Sequence, residues 1–346
     1  MKLLYGVVGE GMGHATRSRV VIEHLLTEGH TLRVVVSGRA FGFLQKTFAS
    51  RANIEVDEIA GLHMAYEGNA VAVGRSIVEN LGKAPSSILR NIAAYVRLDF
   101  DPDAVISDFE SWAFFYGLNH MKPVISLDNM QIINRCEHPD EITSDPDFKL
   151  AKAAVKVKLP GARHYLITTF FRPPVRKERT TLVPPILRPE ILAARREPGT
   201  HVLVYQTGTS NEALIPLLQS LPWEFRLYGM RRNEQRGNVR LCDFSEAGFI
   251  EDLRTAKAVV AGGGFSLMGE AVHLQVPMYA VPLDGQYEQV LNARYLAMLG
   301  YGRFAATFDR DAIAEFVESA PEATAYIPRD NAELFTVLNA CLSHLS

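Results

Sequence analysis

Short apolar runs alternate with amphipathic stretches along most of this chain. Leu3–Val8, Leu32–Val36, Ala104–Ser107 and Val124–Leu127 are mostly apolar segments of strand length, the pattern of parallel strands buried on both faces. Between the first two, Ala15–Glu28 spaces Val21, Leu25 and Leu26 as a helix does, and Gly29 stands where a left-handed C-cap belongs. This predicts a βαβ unit. The series restarts with His201–Gln206, Phe225–Tyr228, Ala258–Ala261 and Met278–Val281, which predicts a second α/β domain. Clustered prolines at Pro184, Pro185, Pro189 and Pro198 cannot continue a helix or a central strand. The expected division is a domain over 1–185, a linker over 186–199, a domain over 200–330, and a helix over 331–346 spaced by Leu334, Leu338, Leu342 and Leu345.

At 346 residues the chain exceeds the ~250–300 at which single cores stop growing, in keeping with two domains. A net charge of −3 gives no overall attraction for nucleic acid, and none is expected as a partner. Three separated cysteines, Cys136, Cys242 and Cys341, lack metal-site or disulfide spacing, and the expected compartment is the reducing cytoplasm. No stretch reaches ~18 uncharged apolar residues.

The chemistry concentrates after the strands. Val259–Ala261 runs into Gly262-Gly263-Gly264, where backbone N–H groups can approach a ligand without an intervening Cβ, and the next helix opens around Ser266. That turn suits a diphosphate. One turn on, Glu270 could bind a ribose diol, and Glu288 and Gln289 suit sugar hydroxyls. Thr207-Gly208-Thr209-Ser210 follows the second domain's first strand as a further phosphate-facing loop. In the first domain, strand one ends in Gly9-Glu10-Gly11-Met12-Gly13-His14, which puts His14 at a helix N-terminus, where the dipole favours a neutral imidazole able to accept a proton. Asp108 closes an apolar strand whose carboxyl end should line the same crevice; it could orient His14 or cap the helix over 110–116.

The order and spacing of these motifs resemble glycosyltransferases of the GT-B fold, particularly the MurG-like (family 28) and UDP-glycosyltransferase-like branches. The resemblance implies two Rossmann-like domains facing across a cleft, with the C-terminal helix packing back toward the first. It implies donor binding by Gly208, Thr209, Phe249, Ile250, Gly263, Gly264, Ser266, Glu270, Glu288 and Gln289, with the loop over 244–250 reading the base. Gly11, Gly13, Asp128, Asn129 and Gln131 fall on the acceptor side, and His14 with Asp108 is the implied catalytic pair. Retaining enzymes of this fold commonly carry two glutamates with seven residues between them; the second falls on Glu270 and the first on Gly262, so inversion is expected. Glu288-Gln289 replaces the Asp-Gln or Gln-Gln pair of better-known relatives.

The expected activity is therefore hexosyl transfer from a nucleotide diphosphate sugar, UDP-linked by analogy, to an acceptor hydroxyl, with no metal and no cofactor. Asp101-Pro102-Asp103 spells a metal-binding motif, but its proline makes a turn the better reading. The acceptor could be a small molecule, a glycan or lipid-linked. Phe148–Lys158 would put Lys149, Lys152 and Lys156 on one helix face with apolar residues opposite; this face could touch a membrane peripherally, or be a plain solvated surface. Three alternatives stay open: a UDP-sugar 2-epimerase, a sugar-nucleotide-binding protein without turnover, and an NADP-dependent oxidoreductase. The last is disfavoured because position 14, where the dinucleotide fingerprint needs its third glycine, is histidine.

Overall fold

The computed structural model describes residues 1–9, 12–61, 66–67, 70–71, 86–209, 211–320 and 330–345. They divide into two compact units, one of Met1–Met64, Gly74–Arg188 and Asp330–Ser346, the other of Ala65–Val73 and Pro189–Arg329.

The first unit runs β1 (Lys2–Val7), α1 (Met12–Thr27), β2 (Thr31–Ser37), α2 (Arg39–Phe48) and β3 (Ile54–Ile59). After the hairpin β4 (Tyr66–Glu67) and β5 (Ala70–Val71), grouped with the second unit, comes helix α3 over 86–97. It continues with β6 (Ala104–Asp108), α4 (Ser111–Asn119), β7 (Val124–Asp128), α5 (Ile132–Arg135), α6 (Asp140–Thr143), α7 (Pro146–Lys158), β8 (His164–Thr168) and β9 (Thr180–Val183). Its seven strands lie in the order β3-β2-β1-β6-β7-β8-β9, and every pairing is parallel. Such a sheet must be covered on both faces, which is why β1 beyond Lys2, β6 and β7 are buried at every position and mostly apolar.

The second unit runs α8 (Pro189–Ala193), β10 (Val202–Tyr205), α9 (Leu214–Gln219), β11 (Phe225–Tyr228), β12 (Glu234–Arg236), β13 (Val239–Cys242) and α10 (Glu246–Thr255). Then follow β14 (Ala258–Ala261), α11 (Phe265–His273), β15 (Met278–Ala280), α12 (Tyr287–Met298), β16 (Gly302–Phe304) and α13 (Arg310–Ser319). Its sheet has the order β12-β13-β11-β10-β14-β15-β16, parallel except where β12 edges it antiparallel to β13. The last helix, α14 (Ala332–Ser343), belongs to the first unit: Leu334, Leu338 and Leu342 are buried in the same core cluster as Leu3, Val21 and Val34.

These are two Rossmann-like sheets, as the alternating pattern of the sequence required. Each reverses its strand order once, at β1/β6 in the first and at β10/β14 in the second. At such a point the helices leave to opposite faces, and the carboxyl ends of two neighbouring strands bound a crevice.

Candidate active site

In the first unit the crevice lies where Val7 pairs in register with Asp108. The loop after β1 passes hard against the end of β2: a Cβ on Gly9 would lie 1.7 Å from the Ser37 carbonyl oxygen, so only glycine fits. Helix α1 opens at Met12, which places His14 in its first turn. Gly11 lies outside the described residues; Gly13 accepts a 3.2 Å hydrogen bond from Thr16 Oγ1 through its carbonyl oxygen.

His14 Nδ1 sits 3.0 Å from Asp108 Oδ1, and His14 keeps a quarter (25%) of its side chain exposed while Asp108 keeps 1%. The carboxylate has a stronger partner that sequence reasoning missed. Arg17, 4% exposed, grips Asp108 with both arms: Nε donates to Oδ2 at 2.9 Å and Nη2 to Oδ1. Its Nη1 donates to Asn129 Oδ1 at 2.7 Å, and Ser18 Oγ donates to Asp108 Oδ2 at 3.0 Å. Burial alone would raise the Asp108 carboxyl, but the Arg17 and His14 charges and their hydrogen bonds outweigh it and hold it well below the usual carboxylate range.

Arg17 Nη2 also approaches His14 Nδ1 to 2.8 Å, so the ring nitrogen has two neighbours of opposite demand. We assign the proton to Nδ1, because the carboxylate needs a donor there and Arg17 already has Asp108 and Asn129 to satisfy it. Nε2 then carries the lone pair. Burial, followed by the Arg17 charge, pushes the imidazole below its ordinary value despite the opposing pull of Asp108.

The turn out of β6 is strained: Phe109 adopts φ 55°, a left-handed conformation unfavourable for a bulky residue. It is braced by Ser107 Oγ, which donates to the Glu110 carbonyl at 2.7 Å and accepts from the Glu110 N–H at 3.0 Å. The cap of α4 is Glu110, whose carboxylate accepts from the N–H groups of Trp112 (2.8 Å) and Ala113 (2.7 Å). Asp108 is thereby left to Arg17, Ser18 and His14. Lys158, at the end of α7, holds its ammonium 3.9 Å from the Phe109 ring centre. Burial pushes its pKa down, against the charges of Glu110, Asp128 and Asp108.

Three of the five residues expected on the acceptor side are bonded into the scaffold. Asp128 accepts from Ser126 Oγ (2.6 Å) and the Gln131 N–H (2.9 Å); Asn129 holds Arg17; Gln131 Nε2 donates to the Val155 carbonyl at 3.4 Å. Burial, and more weakly the nearby Asp108 charge, push the Asp128 carboxyl up to about 6. The Asp101 and Asp103 carboxylates also have partners, the Lys122 ammonium at 2.6 Å and the Lys2 N–H at 2.7 Å.

In the second unit the crevice is bounded by Gly208 and Thr209 after β10 and the triple glycine after β14, with Tyr205 and Ala261 in register. Ser210 lies outside the described residues. Gln289, expected to meet sugar hydroxyls, is 6% exposed and braces the turn instead: Oε1 accepts from the N–H groups of Gly263 (3.0 Å) and Leu283 (3.1 Å), and Nε2 donates to Gln286. Asn292 Nδ2 donates to the Gly263 carbonyl (3.0 Å) and to Glu288 Oε1 (2.7 Å). The turn is therefore held rigidly from α12. Gly264 is the N-cap of α11 and has no side chain to cap it with, and a Cβ built on Gly264 meets nothing within 4 Å. Ser266 is half-buried in the first turn, and Glu270 is buried at 5% exposure.

The loop expected to read the base is largely helix. Ser245 caps α10, accepting from the Gly248 N–H at 3.2 Å, so Phe249 and Ile250 are helical and buried, at 9% and 7%. Phe249 packs edge-on against Tyr205 and Tyr228, and its N–H bonds the Ser245 carbonyl at 2.8 Å, leaving that donor unavailable to a base edge. Phe244, Ser245 and Gly248 do line a cavity of about 350 Å³ beside Tyr228 and Cys242.

The sequence profile of glycosyl transferase family 1 matches residues 1–321. The chain belongs to this family. An uncharacterised glycosyltransferase of Methanosarcina acetivorans is 23% identical over 94% of this chain and 91% of its own length, and one of Methanosarcina mazei is 25% identical over 88% and 85%. Among solved structures, the glycotransferase of kitacinnamycin (TM-score 0.62, 16% identity, 99% of this chain and 94% of that one) and MurG of Acinetobacter baumannii (0.58, 15%, 98% and 99%) share the fold. The family-1 chain is thus a glycosyltransferase of GT-B architecture, acting between a nucleotide-sugar donor and an acceptor. Among the described residues no helix is long and apolar enough to cross a membrane, and no group of three or more His, Cys, Asp or Glu could hold a metal.

Proposed function

We propose that this glycosyltransferase inverts the anomeric centre in one displacement, without a metal, taking the sugar from a UDP-linked donor. The carrying observation is the His14–Asp108–Arg17 cluster at the first sheet's reversal. His14 Nε2 accepts the proton of the acceptor hydroxyl as that oxygen bonds to the anomeric carbon, and the carbon–oxygen bond to the diphosphate breaks with its electron pair leaving on the diphosphate. Asp108 fixes the ring and steadies the imidazolium; Arg17 holds Asp108 ionised and the resting ring neutral. The glycine turn into α11, whose N-cap Gly264 carries no side chain, brings main chain and a positive dipole end to the departing diphosphate, a task that elsewhere falls to a cation. Gly262, in the place of the first of two paired glutamates, supports inversion.

For the acceptor side we keep peripheral membrane contact. The outward face of α7 carries Leu150 and Val157, 72% and 73% exposed, beside exposed Lys149 and Lys156. This differs from the expected arrangement, in which lysines and apolar residues took opposite faces, because Phe148 and Val155 are the apolar residues turned inward.

The deciding experiment is thermal stabilisation by UDP, TDP, GDP, their sugars and NADPH, since a ligand at 100 times its Kd adds about 2.7 kcal/mol. Selective stabilisation by UDP and one UDP-sugar is expected, with transfer abolished in His14→Ala while UDP still binds, persisting in EDTA, and giving the opposite anomer by NMR. Transfer surviving in His14→Ala overturns the base assignment. Anionic vesicles that sediment Leu150→Glu/Val157→Glu as well as wild type overturn the membrane face.

A further inference from the structure

The first unit holds a second cavity, of about 300 Å³, lined by Glu137, His138, Thr143, Phe148, Lys152 and Arg176 among others. That volume is at the small end for ligand pockets. Its chemistry is cationic. Lys152 extends from α7 over the Phe148 ring, 5.4 Å from its centre, and Arg176 enters from the segment before β9. Lys177 stands beside them. Among the described residues none of these three cations has a carboxylate within ion-pairing distance, although Glu137 lines the same cavity.

Two of the cations are anchored. Arg176 Nη2 donates to the Asn134 carbonyl at 3.0 Å and Lys177 Nζ to Asn134 Oδ1 at 2.7 Å, so a single residue of α5 holds both heads. After burial, every charge depressing Lys152 and Lys177 is positive: Arg176 for the first, and Arg135, Arg176, Lys156 and Lys152 for the second. Cations are gathered against their mutual repulsion, in an open groove, with no carboxylate paired to them. A guanidinium and an ammonium in that arrangement match an anion with several oxygens.

We propose that the cavity between α7 and the segment before β9 is a binding site for a phosphate-class anion, held by Lys152 and Arg176 with Lys177 behind them. It is separate from the triple-glycine turn, which belongs to the other unit. It is also near enough to the reacting centre to matter: Lys152 and Lys158 are six residues apart on α7, about 9 Å along the axis, and the Lys158 end feels Asp108 and Asp128. The anion is then either a phosphoryl group carried by the acceptor or a free phosphate acting as an effector. The site itself goes beyond the transfer reading and does not depend on it.

The test is calorimetric titration of the full chain with inorganic pyrophosphate in saturating UDP, which fills the diphosphate turn of the other unit. A charged hydrogen bond contributes enough that Lys152→Gln and Arg176→Gln should each weaken binding by about tenfold. Lys149→Gln, on the same helix but outside the cavity, should leave binding unchanged. Glu137→Gln should tighten it, an outcome no loss of folding can imitate, and His14→Ala should not alter it. Binding that ignores Lys152 and Arg176, that Lys149→Gln weakens equally, or that Glu137→Gln leaves the same overturns the proposal. The two sources separate in transfer assays. If the anion is part of the acceptor, Lys152→Gln raises KM for a phosphorylated acceptor and spares kcat. If it is a free effector, added pyrophosphate changes transfer to an uncharged acceptor in wild type and not in Lys152→Gln.

Discussion

Replacing Asp108 by Asn removes one negative charge from a site where Arg17 is 4% exposed. The amide can accept at one atom only, and its NH2 faces the guanidinium whichever way it turns, with His14 Nδ1 or Ser18 Oγ beside it. Breaking a buried ion pair from one side costs about 3–5 kcal/mol, because the remaining charge is left without compensation. For a unit of this size that corresponds to a fall of roughly 6–20 °C in melting temperature. Arg17→Met should cost a similar amount, whereas Arg17→Met/Asp108→Asn should cost clearly less than the sum, since neither charge is then stranded. The chain has two tryptophans, Trp112 in the first unit and Trp223 in the second, so a Trp223→Phe background makes fluorescence in a urea titration report the first unit alone. The pH dependence gives a further check. Asp108 is depressed in the folded state, so its stabilisation is full above the unfolded pKa near 3.9 and is lost as pH falls below it. Wild type should show that acid limb and Asp108→Asn should not. Additive single variants, or an Asp108→Asn protein that melts within about 2 °C of wild type, would refute the claim that this pair organises the crevice.

In the second unit, Gly263→Ala would bring a Cβ to 2.2 Å from the Gln289 carbonyl oxygen and should destabilise by about 1–3 kcal/mol in a urea titration. Gly264→Ala, whose Cβ meets nothing, should change stability by less than about 0.5 kcal/mol yet weaken nucleotide binding at least several-fold; unaltered affinity would remove the turn from the donor site. Because burial and Arg17 lower the His14 pKa, kcat/KM should be flat through neutrality and fall only as pH drops below the ordinary histidine value near 6.5; an acid limb centred above it would contradict the assignment. Asp128 titrates near 6 when folded, above its unfolded value, so the stability of its protonated form is present below about pH 4 and lost as pH rises through 6. Asp128→Asn, which keeps the acceptor for the Gln131 N–H, should therefore gain on wild type at pH 8 relative to pH 4, and an equal gap at both would exclude this account.

Much of the crevice could be read because its residues sit at strand ends. The strands are marked by apolar runs, and in a parallel sheet their carboxyl ends converge, so Asp108 could be brought near His14 from residue order alone. Arg17 left a fainter signal. It stands three residues after His14, with Ser18 and Val21 completing the helical spacing, and a charged residue on the buried stripe of α1 is the trace of a buried partner. Lys158 left none, because its approach to Phe109 depends on how α7 packs. The segment over 244–250 was read as a loop, although Ser245 followed by Glu246 is an acceptable helix start; the cap is evident only once Ser245 Oγ is seen against the Gly248 N–H.

By itself the sequence determined the alternation of buried strands and amphipathic helices, the two glycine-rich turns and the family to which they belong, since periodicity and backbone permissiveness are local properties. The tertiary structure decided which polar groups are free to act. Gln289 satisfies the Gly263 N–H and Asn129 is taken by Arg17, because hydrogen-bond partners are assigned by atoms meeting across 26 and 112 residues of chain. It also decided the charge of the site: the same His14 beside Asp108 would be a stronger base without Arg17, and only packing brings that third group within reach.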